Sequence, residues 1–98
     1  MPAITAQTPV LLDFYSESCA PCRRLKPVLA ALAQMFEGRV EIQKINAGNH
    51  PELAEAYDVQ TLPTLLLLHC GKELWRGTGF ITQEILDAKL NQILEGMQ

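Results

Sequence analysis

The sequence predicts an α/β fold, a mixed four-stranded sheet flanked by helices in the order β-α-β-α-β-β-α. Short apolar runs rich in β-favouring residues alternate with stretches of helical periodicity, which gives the α/β class. One strand pair is joined through a helix and another through a two-residue turn, so the sheet must mix parallel and antiparallel pairing. With 98 residues there is material for one core, and residues 1–98 are read as a single domain.

Val10-Leu11-Leu12-Asp13-Phe14-Tyr15, bounded by Pro9 and Ser16, suits a central strand buried on both faces. Leu25, Val28, Leu29, Leu32, Ala33 and Phe36 then recur at steps of three and four, the pattern of one helix face from near Cys19 to just before Gly38. Pro27 lies inside that pattern and predicts a bent helix rather than two. Val40 to Asn46 alternates as a second strand, and Asn46-Ala47-Gly48-Asn49 breaks it. Pro51 to Tyr57 opens on a proline suited to a first helical turn and predicts a short helix. Thr64 to His69 is a third strand by length, Cys70-Gly71 a turn, and Glu73 to Thr78 the returning fourth strand. Thr82 is placed to cap a last helix with the apolar set Ile85, Leu86, Leu90, Ile93 and Leu94, and Ile81 to staple against Leu86.

The formal charge is −3, and no Lys or Arg run exceeds Arg23-Arg24, which argues against nucleic acid or an anionic membrane as partner. The apolar stretches are far shorter than the roughly 20 residues that span a bilayer. Met1 to Val10 has neither a basic start nor a long apolar run, so it does not read as a signal peptide, and a reducing cytoplasm is the expected compartment. Three cysteines are too few and too oddly numbered for a secreted disulfide framework.

Cys19-Ala20-Pro21-Cys22 therefore needs a chemical explanation. A C-x-x-C pair is either a redox couple or half of a metal site, and an idle pair is the plain alternative. The further zinc ligands on offer are His50, His69 and Cys70. His69 and Cys70 are neighbours on an extended segment and point to opposite faces, which disfavours zinc. A redox pair fits the position better: Cys19 opens a helix, where unpaired amides and the helix dipole favour a thiolate, so it is the expected nucleophile. Cys22, one turn further in, suits a resolving thiol. Pro21 falls where its missing donor costs nothing and stiffens the loop.

The run Asp13-Phe14-Tyr15-Ser16-Glu17-Ser18-Cys19-Ala20-Pro21-Cys22, with Pro27 following, resembles the active-site region of thioredoxins, and Thr61-Leu62-Pro63-Thr64 resembles that family's cis-proline segment. The resemblance runs from about Val10 to the C-terminus and implies a thioredoxin-like fold acting as a thiol–disulfide oxidoreductase, a protein-disulfide reductase. It implies catalytic roles for Cys19, Cys22, Asp13 and Lys44, and substrate contacts at Ser18, Ala20, Pro21, Leu62, Pro63 and Gly79. No cofactor or metal is implied. Protein disulfides are the implied substrates, a thioredoxin reductase the implied electron donor, and a monomer the expected state.

Taken on its own, Asp13 is an ionisable group in an apolar strand, costly unless paired or used; the resemblance makes it a proton carrier for the resolving cysteine. Lys44 is either its counter-charge or an exposed strand lysine. Pro63, if cis, would present the backbone of Leu62 to an extended substrate. Three features depart from the family. Ser18 stands where a tryptophan usually precedes the first cysteine, Ala20 replaces a glycine, and little chain remains before the first strand, so a shortened N-terminus and an open sheet edge near Val40 to Asn46 are expected. Cys70 is open to two readings, an inert turn residue or a regulatory or dimer-forming thiol. An adaptor module that keeps the fold but serves one protein partner is the alternative to an enzyme.

Overall fold

In the computed structural model, which describes residues 7–97, the elements follow the expected order: β1 (Val10–Tyr15), α1 (Ala20–Met35), β2 (Glu41–Asn46), α2 (Pro51–Ala56), β3 (Thr64–His69), β4 (Lys72–Thr78) and α3 (Gln83–Gly96). The four strands form one sheet in the order β2-β1-β3-β4. β1 pairs parallel with β2 and antiparallel with β3, and β4 returns antiparallel on β3. β1 therefore has a hydrogen-bonded neighbour on each side and reads as an almost continuous apolar run for that reason. The expected shortened start concerns Met1 to Pro9, of which residues 1–6 lie outside the described residues. Among the described residues β2 is an edge strand.

Alternation along the strands divides the core into two layers. Leu11, Leu65 and Leu67 point to one face and pack with Leu25, Leu29, Leu32 and Phe36 of the α1 segment and with Leu86 and Leu90 of α3. Leu12, Phe14 and Leu66 point to the other face, towards Leu53, Ala54, Tyr57 and Val59 of the α2 region. Each fully buried leucine contributes about 2 kcal/mol of transfer free energy. The α1 layer holds most of them, so it anchors the helix that carries the cysteines.

Helical geometry explains where two apolar residues depart from the expected faces. Ala33 lies about 80° around the helix from Leu25 and is exposed. Ile85 is about 100° away from Leu86 and is 58% exposed. The buried stripe of α3 is Leu86 and Leu90, with Ile93 and Leu94 half-buried. Thr82 caps α3 as expected, accepting from the Ile85 amide at 3.3 Å. β2 begins at Glu41 rather than Val40, because the Val40 amide closes the end of α1 on the Phe36 carbonyl at 2.9 Å while its side chain joins the core.

The β3–β4 turn contains only Cys70 and Gly71, both at positive φ (52° and 79°), the backbone of a type I′ hairpin. It lets β4 start at Lys72, one residue before the expected Glu73. A register shift at Leu67/Leu68 is a bulge that turns Leu74 and Trp75 both towards the α1 layer. Trp75 packs on β4, as its sequence position indicates, and its ring lies over Gly77: a Cβ on Gly77 would sit 2.6 Å from Trp75 Cη2 and 2.8 Å from Ile81 Cδ1.

Cys70→Asn gives the turn the Asn-Gly pair that type I′ geometry favours and should raise unfolding free energy by about 1 kcal/mol, read as a higher urea midpoint at unchanged m-value. Gly77→Ala should lower it by about 1 to 3 kcal/mol through overpacking against the indole; a midpoint equal to wild type would show that Trp75 moves aside freely.

Candidate active site

The site lies where three strand ends meet. Phe14 of β1 pairs with Thr64 of β3, and Thr64 pairs with Thr78 of β4. The chain leaving β1, the segment entering β3 and the segment leaving β4 therefore share one edge of the sheet. From the first comes Ser16-Glu17-Ser18 and then Cys19, from the second Leu62-Pro63, and from the third Gly79-Phe80.

Cys19 is the N-cap of α1. Its backbone is extended (φ −92°, ψ 108°), and its Sγ accepts the Cys22 amide at 3.2 Å. A thiol sulfur takes the place that a Ser or Asp oxygen fills at other helix starts, so a negative charge on that sulfur would be held by an amide and by the positive end of the helix. Cys19 and Cys22 are joined as a disulfide with their Cα atoms 5.2 Å apart. The two sulfurs are inequivalent: Cys19 is half-buried, whereas Cys22 is 4% exposed. Pro21 sits in the first turn and Pro27 inside what is one continuous helix. Ser18 and Ala20 are exposed beside the pair, and Pro21 is half-buried.

The Leu62–Pro63 bond is cis, Pro63 is buried and Leu62 half-buried. Two hydrogen bonds hold this segment. Thr64 Oγ1 donates to the Thr61 carbonyl at 2.6 Å, and the Gly79 amide donates to the Pro63 carbonyl at 2.9 Å. Gly79 has φ +77°, a conformation that glycine adopts without the penalty a Cβ would bring.

Asp13 is 3% exposed, and its Oδ1 has no hydrogen-bond partner. It alternates with Leu12 and Phe14, which face α2, and so points to the α1 layer, on the side where Cys22 is buried. Burial pushes its carboxyl up to about 6, against a smaller opposing pull from Lys44. Lys44 is the parallel partner of Asp13 in β2, shares a face with Ile42, and is exposed at the sheet edge. The cysteines and the Leu62-Pro63 segment, all singled out in the sequence, thus meet at one end of the sheet, with Asp13 buried on the α1 side and Lys44 exposed at the edge. Phe80, not singled out in the sequence, is 37% exposed and carries the Arg24 guanidinium 4.5 Å from its ring centroid. The signal was an aromatic between Gly79 and the helix cap, where no core position required one.

Residues 2–92 match the thioredoxin family model. Among curated proteins the chain is 32% identical to thioredoxin of Porphyra purpurea over 91 residues, covering 93% of this chain and 85% of that one. It is 42% identical to thioredoxin of Chlamydia caviae over 83 residues, covering 85% and 80%. A solved structure of the germline-specific thioredoxin Deadhead from Drosophila melanogaster superposes with a TM-score of 0.83 at 26% identity, covering 88% of this chain and 81% of that one.

In the unfolded chain Asp13 titrates near 3.8 and in the folded chain at about 6, so between these values the folded state holds a proton that the unfolded state has released. The penalty is absent below the lower value and complete above the higher one, and stability falls as pH rises through the window. Asp13→Asn should therefore be more stable than wild type by about 3 kcal/mol at about pH 8, with the gap closing towards pH 4. Denaturant unfolding across that range tests it, and a gap independent of pH would mean that the carboxyl is not the cause.

Proposed function

The chain belongs to the thioredoxin family, and from that premise we propose how its residues divide the work of a thiol–disulfide oxidoreductase acting on protein disulfides. Family membership and the Cys19–Cys22 pair establish the reaction class. The assignment of roles rests on one observation, the Cys19 sulfur capping α1 with Cys22 buried behind it.

In the reduced chain the Cys22 amide stabilises Cys19 as a thiolate, which attacks one sulfur of the substrate disulfide. A Cys19–substrate disulfide forms, and the other substrate sulfur leaves and takes up a proton. Cys22 then gives its proton to Asp13, whose carboxyl at about 6 is basic enough to accept it near neutral pH. The Cys22 thiolate attacks Cys19 Sγ, the internal disulfide closes, and the second substrate sulfur is released. Two electrons pass from the chain to the substrate.

Lys44, beside Asp13 in register, tunes that carboxyl as a positioning charge. Leu62 and Pro63 offer backbone for an extended substrate, while Ser18, Ala20, Pro21 and Gly79 line the approach. Proline between the cysteines resembles the reducing members of the family. A reducing compartment such as the cytoplasm and a thioredoxin reductase as electron donor complete the cycle. One chain carries every group named, which supports a monomer as the working unit.

Insulin reduction with dithiothreitol tests the roles. Cys19→Ser should abolish acceleration, a loss of about a thousandfold or more, whereas Cys22→Ser should lose turnover but accumulate a mixed disulfide visible on a non-reducing gel. Equal rates for wild type and Cys19→Ser would overturn the assignment.

A further inference from the structure

The chain carries a net charge of −3, yet three of its eight Lys and Arg residues, Arg23, Arg24 and Lys26, fall within four positions directly after Cys22. All three are exposed. Two of them are held in place. Arg23 Nη1 donates to the Glu17 carbonyl at 2.9 Å, across the loop that precedes the disulfide. The Arg24 guanidinium lies over the Phe80 ring at 4.5 Å. Phe80 is itself fixed to the site through Gly79, whose amide donates to the Pro63 carbonyl. Among the described residues neither guanidinium is engaged by a carboxylate, since the ion pairs are His50–Glu52 and Glu73–Arg76. A guanidinium stacked on an aromatic face keeps its N–H edge free for a bidentate acceptor. Glu17 is the acid nearest in sequence to the disulfide, exposed two residues before Cys19, and it weakens the patch without matching three cations.

We propose that Arg24 stacked on Phe80, together with Arg23, forms a cationic docking surface beside the Cys19–Cys22 pair that selects protein disulfides flanked by acidic residues. The inference rests on the thiol–disulfide reading above and names its substrate class. Ser18 gives the surface its importance: without a large aromatic just before Cys19, recognition passes to the Phe80 ring and the two guanidinia. Rim charges of this kind act mainly through association rate and are screened by salt.

The test uses the pre-reduced full chain and two synthetic peptides, each with one disulfide, identical except that the residues flanking it are Glu in one and Lys in the other. Neutral 2-hydroxyethyl disulfide serves as the reference. Wild type should reduce the acidic peptide about tenfold faster than the basic one at low salt, and the ratio should fall towards one at about 0.5 M ionic strength. Arg24→Glu combined with Arg23→Glu should invert the ratio. Phe80→Leu, which keeps an apolar side chain but no ring, should reduce it severalfold. Every rate is divided by the same protein's rate on the neutral disulfide, so a change in thiol reactivity does not enter. Equal rates for the two peptides in wild type, or a ratio indifferent to salt, overturn the docking surface while leaving the redox reading intact. Failure to reduce even the neutral disulfide would instead overturn the redox reading. The salt series needs no variant and decides the matter even where a substitution prevents folding.

Discussion

Everything in this molecule is hung on β1. It is hydrogen-bonded on both edges and packed on both faces, so its six residues can neither slide nor rotate without turning buried leucines into water. That rigidity is transmitted to its C-terminal end, where the chain passes through Ser16 to the cap of α1. The antiparallel partner β3 begins beside the same end, which brings Pro63 there, and β4 delivers Gly79 and Phe80 to the same edge. A reactive centre built from loops is thereby held by a sheet that has little freedom to move.

The cost of that arrangement is concentrated in Asp13. A carboxyl with an unpartnered oxygen inside a leucine layer is unfavourable in its charged form. Stability alone would place an apolar residue or an amide there. Its raised proton affinity makes sense as a functional property: a group that is half-charged near pH 6 can take a proton from a thiol and release it again. Lys44, exposed on the edge strand, moderates the penalty without removing it, because a solvated charge acts weakly on a buried one.

The two cysteines show how one short segment can give two sulfurs unequal surroundings. Both belong to the same turn, but helical geometry turns Cys22 into the layer containing Leu25 and Leu29 while Cys19 stays at the rim and accepts the amide. The surroundings then set what reaches that rim. Where an aromatic before Cys19 would offer an apolar surface, this chain has Ser18, and its exposed aromatic, Phe80, carries the Arg24 guanidinium on its ring.

The sequence by itself determined the strands, the helices and the reactive pair, since apolar periodicity and the placement of proline, glycine and cysteine are local signals that dictate local geometry. The bounds of β1 and β3 could be read to the residue, because both are mostly apolar runs bounded by loop or turn residues. It misplaced Ala33 and Ile85, where an apolar side chain sits just off the buried stripe and composition cannot tell the edge of a helix face from its centre. What only the tertiary structure decided was adjacency: the strand order β2-β1-β3-β4, the facing of Asp13 towards the α1 layer, and the meeting of Arg24 with Phe80, 56 positions apart in the chain. Such contacts are set by how layers pack, and no local pattern encodes them. The Cys-Ala-Pro-Cys turn was legible at once; its polarity, with an amide on one sulfur and a buried layer around the other, came from the fold.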